Sequence, residues 1–405
     1  MIASRGAVAL LWIALSAASP AAAQVASGDL SGRVSDATGG ALVGVSVTVR
    51  DPSTGLERVA TSGPDGRFLV VGLPDTGAYD VRTEQAGFAA AFRQGVRVAA
   101  GRTSTVDFVL AVAAGATVVV RPLDVILDRQ ESAGRQSVGE PLLRTLPLFS
   151  RDVLQMASLA AGFTGNPDFP SPQGQTYWAH NVLVDGASHF SKWRGAPRAF
   201  ASGYPLESIA GVDVLTSRFP AAYGDALASV TSVVTKAGTN TWAGSALLYL
   251  HDEALDARPL FAAVTPPASS QQLGASVGGP LVPSRVHLFA SYERQRSRNQ
   301  NVVVSPAAPQ ALVPDDRDEH LAFVRVDHRR SATHTMTARY NGQILDWRRQ
   351  PGGLVLPGSG TRYRNESHTA LGTDATVIGG ATANELRLQA ARYVDLRTDL
   401  SPVVA

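Results

Sequence analysis

The sequence predicts a mostly β protein built in three consecutive parts: an N-terminal seven-stranded β-sandwich, an α+β middle domain, and a run of strands suited to crossing a membrane. Three observations predict it. Short β-prone segments separated by turn residues recur about every ten residues through the first hundred positions. After Trp242, long segments alternate apolar and polar side chains, the period-two pattern of a transmembrane barrel with a polar lumen. Glycine and proline are frequent, with 38 and 24 residues, and strong helical periodicity is rare.

The chain opens with Arg5, an apolar run from Ala7 to Ala18, the breaker Pro20 and the A-x-A site Ala21-Ala22-Ala23. That order is expected of a secretory signal peptide over residues 1–23, cleaved before Gln24. Later apolar runs fall short of the roughly 18 residues that a membrane helix needs. A mature chain past the inner membrane is then either soluble or a β-barrel, because in lipid only helices and closed barrels satisfy the backbone. There is no cysteine, which excludes disulfides, zinc–thiolate sites and a cysteine nucleophile. The 36 Lys and Arg nearly balance the 34 Asp and Glu, so no nucleic-acid footprint is present.

Over residues 28–112 the expected strands are Asp29–Val34, Val45–Arg50, Leu56–Ser62, Phe68–Val71, Tyr79–Thr83, Val96–Ala99 and Thr105–Leu110. Val45, Val47 and Val49 alternate with Ser46, Thr48 and Arg50, giving one buried and one wet face. Gly63-Pro64-Asp65-Gly66 is a turn. Residues 113–121 are a linker: Ala113-Ala114-Gly115, then Thr117-Val118-Val119-Val120 as a lone β-prone strand. Residues 122–240 mix short pieces, with a helix expected at Arg151–Ala160 and strands at Asn181–Val184, Val212–Leu215 and Val230–Thr235. Residues 241–405 hold about seven strands, around Trp242–Leu250, Leu273–Val277, Val286–Glu293, Ala322–Asp327, Met336–Tyr340, Thr369–Val377 and Leu386–Ala390. Alternation alone fits a soluble sheet with one wet face equally well. The signal peptide and the number of strands favour the barrel.

Several segments resemble known families. Gly39-Gly40-Ala41-Leu42-Val43-Gly44-Val45, Asp65-Gly66-Arg67-Phe68, Gly72-Leu73-Pro74 with Gly77 and Tyr79, and Gly87-Phe88 look like the carboxypeptidase regulatory-like domain, a sandwich with no catalytic residues of its own. Val182-Leu183-Val184-Asp185-Gly186, Ile209–Thr216, Ala222-Tyr223-Gly224 and Thr235-Lys236-Ala237-Gly238-Thr239-Asn240 resemble the plug domain of TonB-dependent receptors. Leu255-Asp256-Ala257-Arg258, Gly278-Gly279-Pro280-Leu281 and Leu288–Glu293 resemble the first barrel strands of the Oar-like branch. The resemblance implies an outer-membrane receptor with a periplasmic sandwich, a plug and the first strands of an incomplete transmembrane β-barrel. Its implied partners are the TonB energy-transducing protein in the periplasm, an extracellular ligand and outer-membrane lipid. Seven strands cannot enclose a plug of this size where the family uses about 22, so the sequence reads as a fragment of such a receptor.

The resemblance also implies two sites. A short extended segment before the plug serves the family as the TonB box, which pairs by its edge with TonB; here Thr117, Val118, Val119 and Val120 hold that position, the alternative being a last sandwich strand or a linker. Edge pairing draws on main-chain hydrogen bonds and tolerates varied side chains. Phe190, Trp193, Arg194 and Arg198 follow the Asp185-Gly186 turn, where the family's plug can touch ligand, and aromatics with arginine are common binding groups. An ordinary surface loop is the bland alternative.

No catalytic, cofactor or metal site is expected. Gly274-Ala275-Ser276-Val277-Gly278 matches the hydrolase elbow, but Gly279-Pro280 forbids the helix that must follow. The eight histidines have no metal-ligand spacing. His251-Asp252-Glu253, and Asp315-Asp316 with Asp318-Glu319, read as solvated loop charge. Asp185-Gly186 reads as turn chemistry. Import of a ligand is the expected function; the alternative is a surface binding or adhesion protein whose sandwich contacts carbohydrate or matrix.

Overall fold

The computed structural model describes residues 27–400 apart from 75–76, 99–100, 113–117, 120–133, 146–158, 167–168, 190–202, 217–218, 220–222, 259, 261, 264, 309 and 380–381. The signal peptide and Arg151–Asp152 onward to residue 158 of the expected helix lie outside the described residues.

The N-terminal part is two facing sheets. One holds β1 (Ser27–Asp36), β4 (Arg67–Pro74), β7 (Thr103–Thr105) and β8 (Phe108–Leu110). The other runs in the order β3 (Glu57–Thr61), β2 (Ser46–Arg50), β5 (Ala78–Glu84), β6 (Ala91–Arg97), β9 (Val118–Val119). Alternation sends Leu30, Val34, Val47, Val49, Phe68, Val81 and Phe108 into one core. Tyr79 is fully buried there and donates its hydroxyl proton to Pro74 O at 2.6 Å, so its polar end is satisfied. Gly66 turns at φ +74°, where a Cβ would lie 2.5 Å from Val34 O.

Two differences from the sequence reading have local causes. The last expected strand is split into β7 and β8, because the Asp107 carboxylate accepts from the Arg33 amide at 2.8 Å and interrupts the ladder. Val118 and Val119 are not a lone strand. They add in parallel to the outer edge of β6, opposite Ala91 and Phe92.

The middle domain centres on a five-stranded sheet in the order β10 (Gly134–Gly139), β15 (Ile209–Thr216), β16 (Ser229–Thr235), β13 (His180–Val184), β14 (Ala187–Ser188). A short helix α1 (Glu140–Thr145) follows β10, and β11 (Phe163–Asn166) pairs with β12 (Phe169–Pro172). All five residues of β13 are buried, as expected of a central strand paired in parallel with β16.

The third part is an antiparallel meander in chain order: β17 (Ala243–Asp252), β18 (Ala268–Val282), β19 (Val286–Val302), β20 (Leu312–Ser331), β21 (His334–Arg349), β22 (Thr361–Ile378) and β23 (Thr382–Asp399). Its connections alternate in length. Two or three residues separate β18 from β19, β20 from β21 and β22 from β23, whereas the other three connections run to nine residues or more. Outer-membrane barrels place short turns toward the periplasm and long loops outside. One face carries Val324, Met336, Tyr340, Ile344 and Leu388, all exposed. The other buries Phe289, Leu321, Phe323, Arg339 and Leu371.

The strands are longer than the alternation of apolar residues suggests. Asp315, Asp316, Asp318 and Glu319, read from sequence as loop charge, lie inside β20. Cross-strand pairing replaces apolar packing there: Arg294 Nε and Nη2 donate to Asp318 at 3.0 and 2.7 Å, and Trp347 Nε1 donates to Asp315 at 2.6 Å.

Candidate functional site

The middle domain meets the meander through the turn after β13. Asp185 (φ 47°) and Gly186 (φ 71°) both adopt positive φ and close a two-residue hairpin between Val184 and Ala187. The sequence identifies this turn. It does not reveal that the Asp185 carboxylate is the hub of a charge cluster.

That carboxylate accepts from the Thr235 amide at 2.9 Å and the Thr235 hydroxyl at 2.8 Å. Arg339 Nε of β21 lies 3.0 Å from Asp185 Oδ2, and Arg325 Nη1 of β20 lies 3.9 Å from Oδ1. Burial alone would raise the Asp185 pKa; the two guanidiniums and the Thr235 bonds outweigh it and hold the carboxyl below its usual range.

From Arg339 the contacts continue inward. Its Nη1 donates to the Tyr204 hydroxyl at 2.5 Å and its Nη2 to Val184 O at 2.8 Å. Tyr204 Oη lies 2.7 Å from His189 Nε2, and His189 Nδ1 lies 3.1 Å from Ala187 O. The directions are forced. Arginine can only donate, so Tyr204 accepts from it and donates to Nε2, and the proton of a neutral His189 sits on Nδ1 facing the carbonyl. Burial and the nearby Arg339 lower the His189 pKa to about 3, and burial pushes Tyr204 up to about 12.

Other strands add contacts. Arg325 Nη1 donates to Thr235 O at 3.2 Å and Oγ1 at 3.0 Å while its Nε and Nη2 hold Asp327 at 2.9 Å. Arg387 of β23 donates to Gly186 O at 3.0 Å, and Ser245 of β17 donates to Glu207 at 3.0 Å. Phe289 and Phe323 join the middle domain's own core of Val184, Ile209, Val212 and Val233. The sequence pattern carried a signal for this face, because Arg325 and Arg339 fall on the side opposite Val324 and Tyr340.

The exit of the middle domain is equally tight. A Cβ on Gly238 would lie 2.3 Å from Leu288 O, so only glycine passes the backbone of β19 there. Asn240 joins all three parts. Its amide donates to Ser53 O in the sandwich at 2.8 Å, its Oδ1 accepts from the Ser284 amide at 2.6 Å, and its Nδ2 donates to Ser284 Oγ at 3.0 Å. Ser284 lies in a short turn, so the sandwich sits at the short-turn rim.

Of the expected site residues, Val118 and Val119 form β9, whereas Thr117 and Val120 lie outside the described residues. Phe190, Trp193, Arg194 and Arg198 also lie outside them. Gly274–Gly278 runs straight through β18, and Ser276 Oγ shares a 2.8 Å hydrogen bond with Ser245. His251 pairs with Asp256 at 3.1 Å, and Asp252 caps the following turn by accepting from Ala254 at 3.0 Å. Among the described residues no three His, Asp or Glu side chains converge as metal ligands.

Comparison with known proteins gives these parts their families. Residues 29–111 match the carboxypeptidase regulatory-like domain, and residues 234–315 match an outer membrane beta barrel domain. A TonB-dependent transporter, Oar of Myxococcus xanthus, is 23% identical over 274 residues, covering 64% of this chain and 25% of that protein. The chain thus spans about a quarter of the length of the curated relative it matches. Among solved structures, the outer membrane transporter YddB from Escherichia coli superposes with a TM-score of 0.51 at 14% identity, over 64% of this chain and 38% of that one. A ferric enterobactin receptor of Pseudomonas aeruginosa gives 0.49 at 13% identity, over 65% of this chain and 42% of that one. The chain is an outer-membrane protein that resembles TonB-dependent receptors, with a mostly β fold of sandwich sheets and a partial barrel sheet.

Proposed function

We propose that this chain supplies the sandwich, plug and leading barrel strands of a TonB-dependent receptor that binds an extracellular ligand and imports it with energy delivered by periplasmic TonB. The proposed division is a sandwich over residues 28–112, a linker with the TonB-pairing segment over 113–121, the plug over 122–240 and barrel strands over 241–405. The observation that carries the reading is a folded domain bonded by its Asp185 turn to the inward face of a membrane-type meander. A domain held on the inner face of a barrel blocks passage until something shifts it, so transport needs an external input. The wall arginines make that hold an electrostatic one that can be released and remade.

Thr117–Val120 is the proposed TonB-pairing segment, and Phe190, Trp193, Arg194 and Arg198 are proposed to contact ligand. Support for the first is that Val118 and Val119 already pair by their backbone with a sheet edge, β6. A segment that adds to one edge by main-chain hydrogen bonds can add to another. In the full-length receptor, Val119→Pro removes an N–H and is expected to abolish uptake and crosslinking to TonB while leaving membrane insertion and ligand binding intact. Val119→Thr keeps the N–H and the β-branched shape and is expected to transport normally. Normal transport by the proline variant would overturn the assignment.

A further inference from the structure

Between the sandwich, the short-turn rim of the barrel strands and the Asp185 cluster lies a cavity of about 640 Å³. One side chain in it breaks the pattern of its strand. In β3 the alternation points Glu57, Val59 and Thr61 outward and sends Arg58 toward the core side, in register with fully buried Val49. Arg58 is only 7% exposed and lines the cavity. Its Nε and Nη1 have no hydrogen-bond partner among the described residues.

A desolvated guanidinium without a counter-charge is costly. Burial lowers the Arg58 pKa; Tyr79 pulls it partly back up, and neighbouring Arg329 adds a smaller downward push. An inward charge on an edge strand can serve to block strand addition. That role needs only a solvated head group, whereas this side chain is largely buried at the cavity wall. Two of the cavity's carboxylates are held by other groups, and Asp51 also attracts Arg329. Asp51 accepts from Ser53 and Thr54, and Asp327 holds Arg325 and Thr337. Arg329, from β20, faces the same cavity.

We propose that this cavity is a binding site for a small organic anion, whose carboxylate or phosphate group is taken by the guanidiniums of Arg58 and Arg329 and whose apolar body rests on Leu56, Val71 and Val377. Arginine presents its donors in a planar fork that matches the oxygens of either group. The volume falls in the range of roughly 300–1,000 Å³ typical of small-molecule sites. Because Arg58 belongs to the sandwich and Arg329 to the barrel strands, a bound anion ties the two together on the periplasmic side. The proposal does not depend on the assignment of the ligand-contacting residues.

The test uses the full chain in detergent and titration calorimetry with three probes: N-acetyl-alanyl-alanine, its C-terminal amide, and phenyl phosphate. At least one of the two anions is expected to bind saturably and at least tenfold tighter than the amide, and which one does so distinguishes a carboxylate from a phosphate site. Arg58→Leu is expected to weaken that binding at least tenfold while leaving the thermal midpoint unchanged or raised, since it places an apolar side chain on the core side of β3. Arg329→Gln, in the barrel strands, is expected to weaken it without touching the sandwich core. Equal binding of anions and amide, or wild-type anion affinity in both variants, would overturn the proposal.

Discussion

At the scale of single residues, the Asp185 turn concentrates most of what can be tested. The Arg339 side chain is only 1% exposed, so Asp185→Asn leaves a buried guanidinium without its counter-charge. Removing one member of such a pair typically costs about 3–5 kcal/mol, and denaturant unfolding of the middle domain is expected to show a loss of that order. Two buried histidines set a pH dependence. Burial lowers His180 to about 4, and His189 stands at about 3, against 6.5 for an unfolded imidazole. Both are neutral in the native state. The stability they support is complete above pH 6.5 and is lost as pH falls from there toward 4 and 3, because the unfolded chain takes up the protons first. Each pKa unit corresponds to about 1.4 kcal/mol, so His180 alone accounts for about 3 kcal/mol by pH 4. Denaturation midpoints at pH 7, 5.5 and 4.5 would show this decline, and His180→Gln should flatten part of it; an unchanged slope in that variant would refute the assignment. Asp185 acts lower on the scale. Its pKa lies below 3.8, so its contribution is complete above 3.8 and is lost as the pH drops through the depressed value.

At the scale of elements, the barrel strands and the sandwich differ in how they reach their limits. Val324 and Arg325 are neighbours in β20, one on the exposed apolar face and one against the middle domain. Val324→Arg is expected to cost about 2–4 kcal/mol when the strand lies in lipid, measurable as reduced membrane insertion, whereas Val324→Leu should be silent. Alternation made these faces legible in the sequence, together with the number of strands and most sandwich strands, because period two depends only on neighbouring residues. The strand ends were not legible. Asp315–Glu319 look like loop because their stabilisation comes from Arg294 and Trp347 on other strands. The Asp185 cluster was hidden for the same reason: Asp-Gly is sufficient to explain a turn, and its partners lie 140 and 154 positions away (325 − 185 and 339 − 185). That Val118 and Val119 could be a last sandwich strand was open from the sequence, but two valines do not announce which edge they join. This gives a fragment test. A sandwich ending at residue 112 leaves the outer edge of β6 open, so one ending at residue 121 is expected to melt cooperatively at a higher temperature.

At the scale of the whole molecule, Asn240 is the point where the sandwich, the middle domain and the barrel strands meet. Asn240→Ala removes the bonds to Ser284 and leaves the sandwich core untouched. Hydrogen exchange is expected to quicken at the short-turn rim while the melting of the sandwich stays unchanged; unaltered exchange would mean that the rim is held by other contacts. The different holds along the chain also have a mechanical consequence. Tension applied at Val119 acts on parts arranged in series. The first is a two-residue parallel pairing with Ala91 and Phe92, which has little to resist it. Next in line is β10, an edge strand that among the described strands pairs with β15 alone, from which hydrogen bonds can open one after another starting at Gly134. Last comes the Asp185 hairpin, clamped by arginines from three strands. A modest pull therefore peels the chain from the sandwich, a stronger one unzips the rim of the middle sheet, and the hairpin stays seated, so that the molecule yields in graded steps from its softest joint to its stiffest.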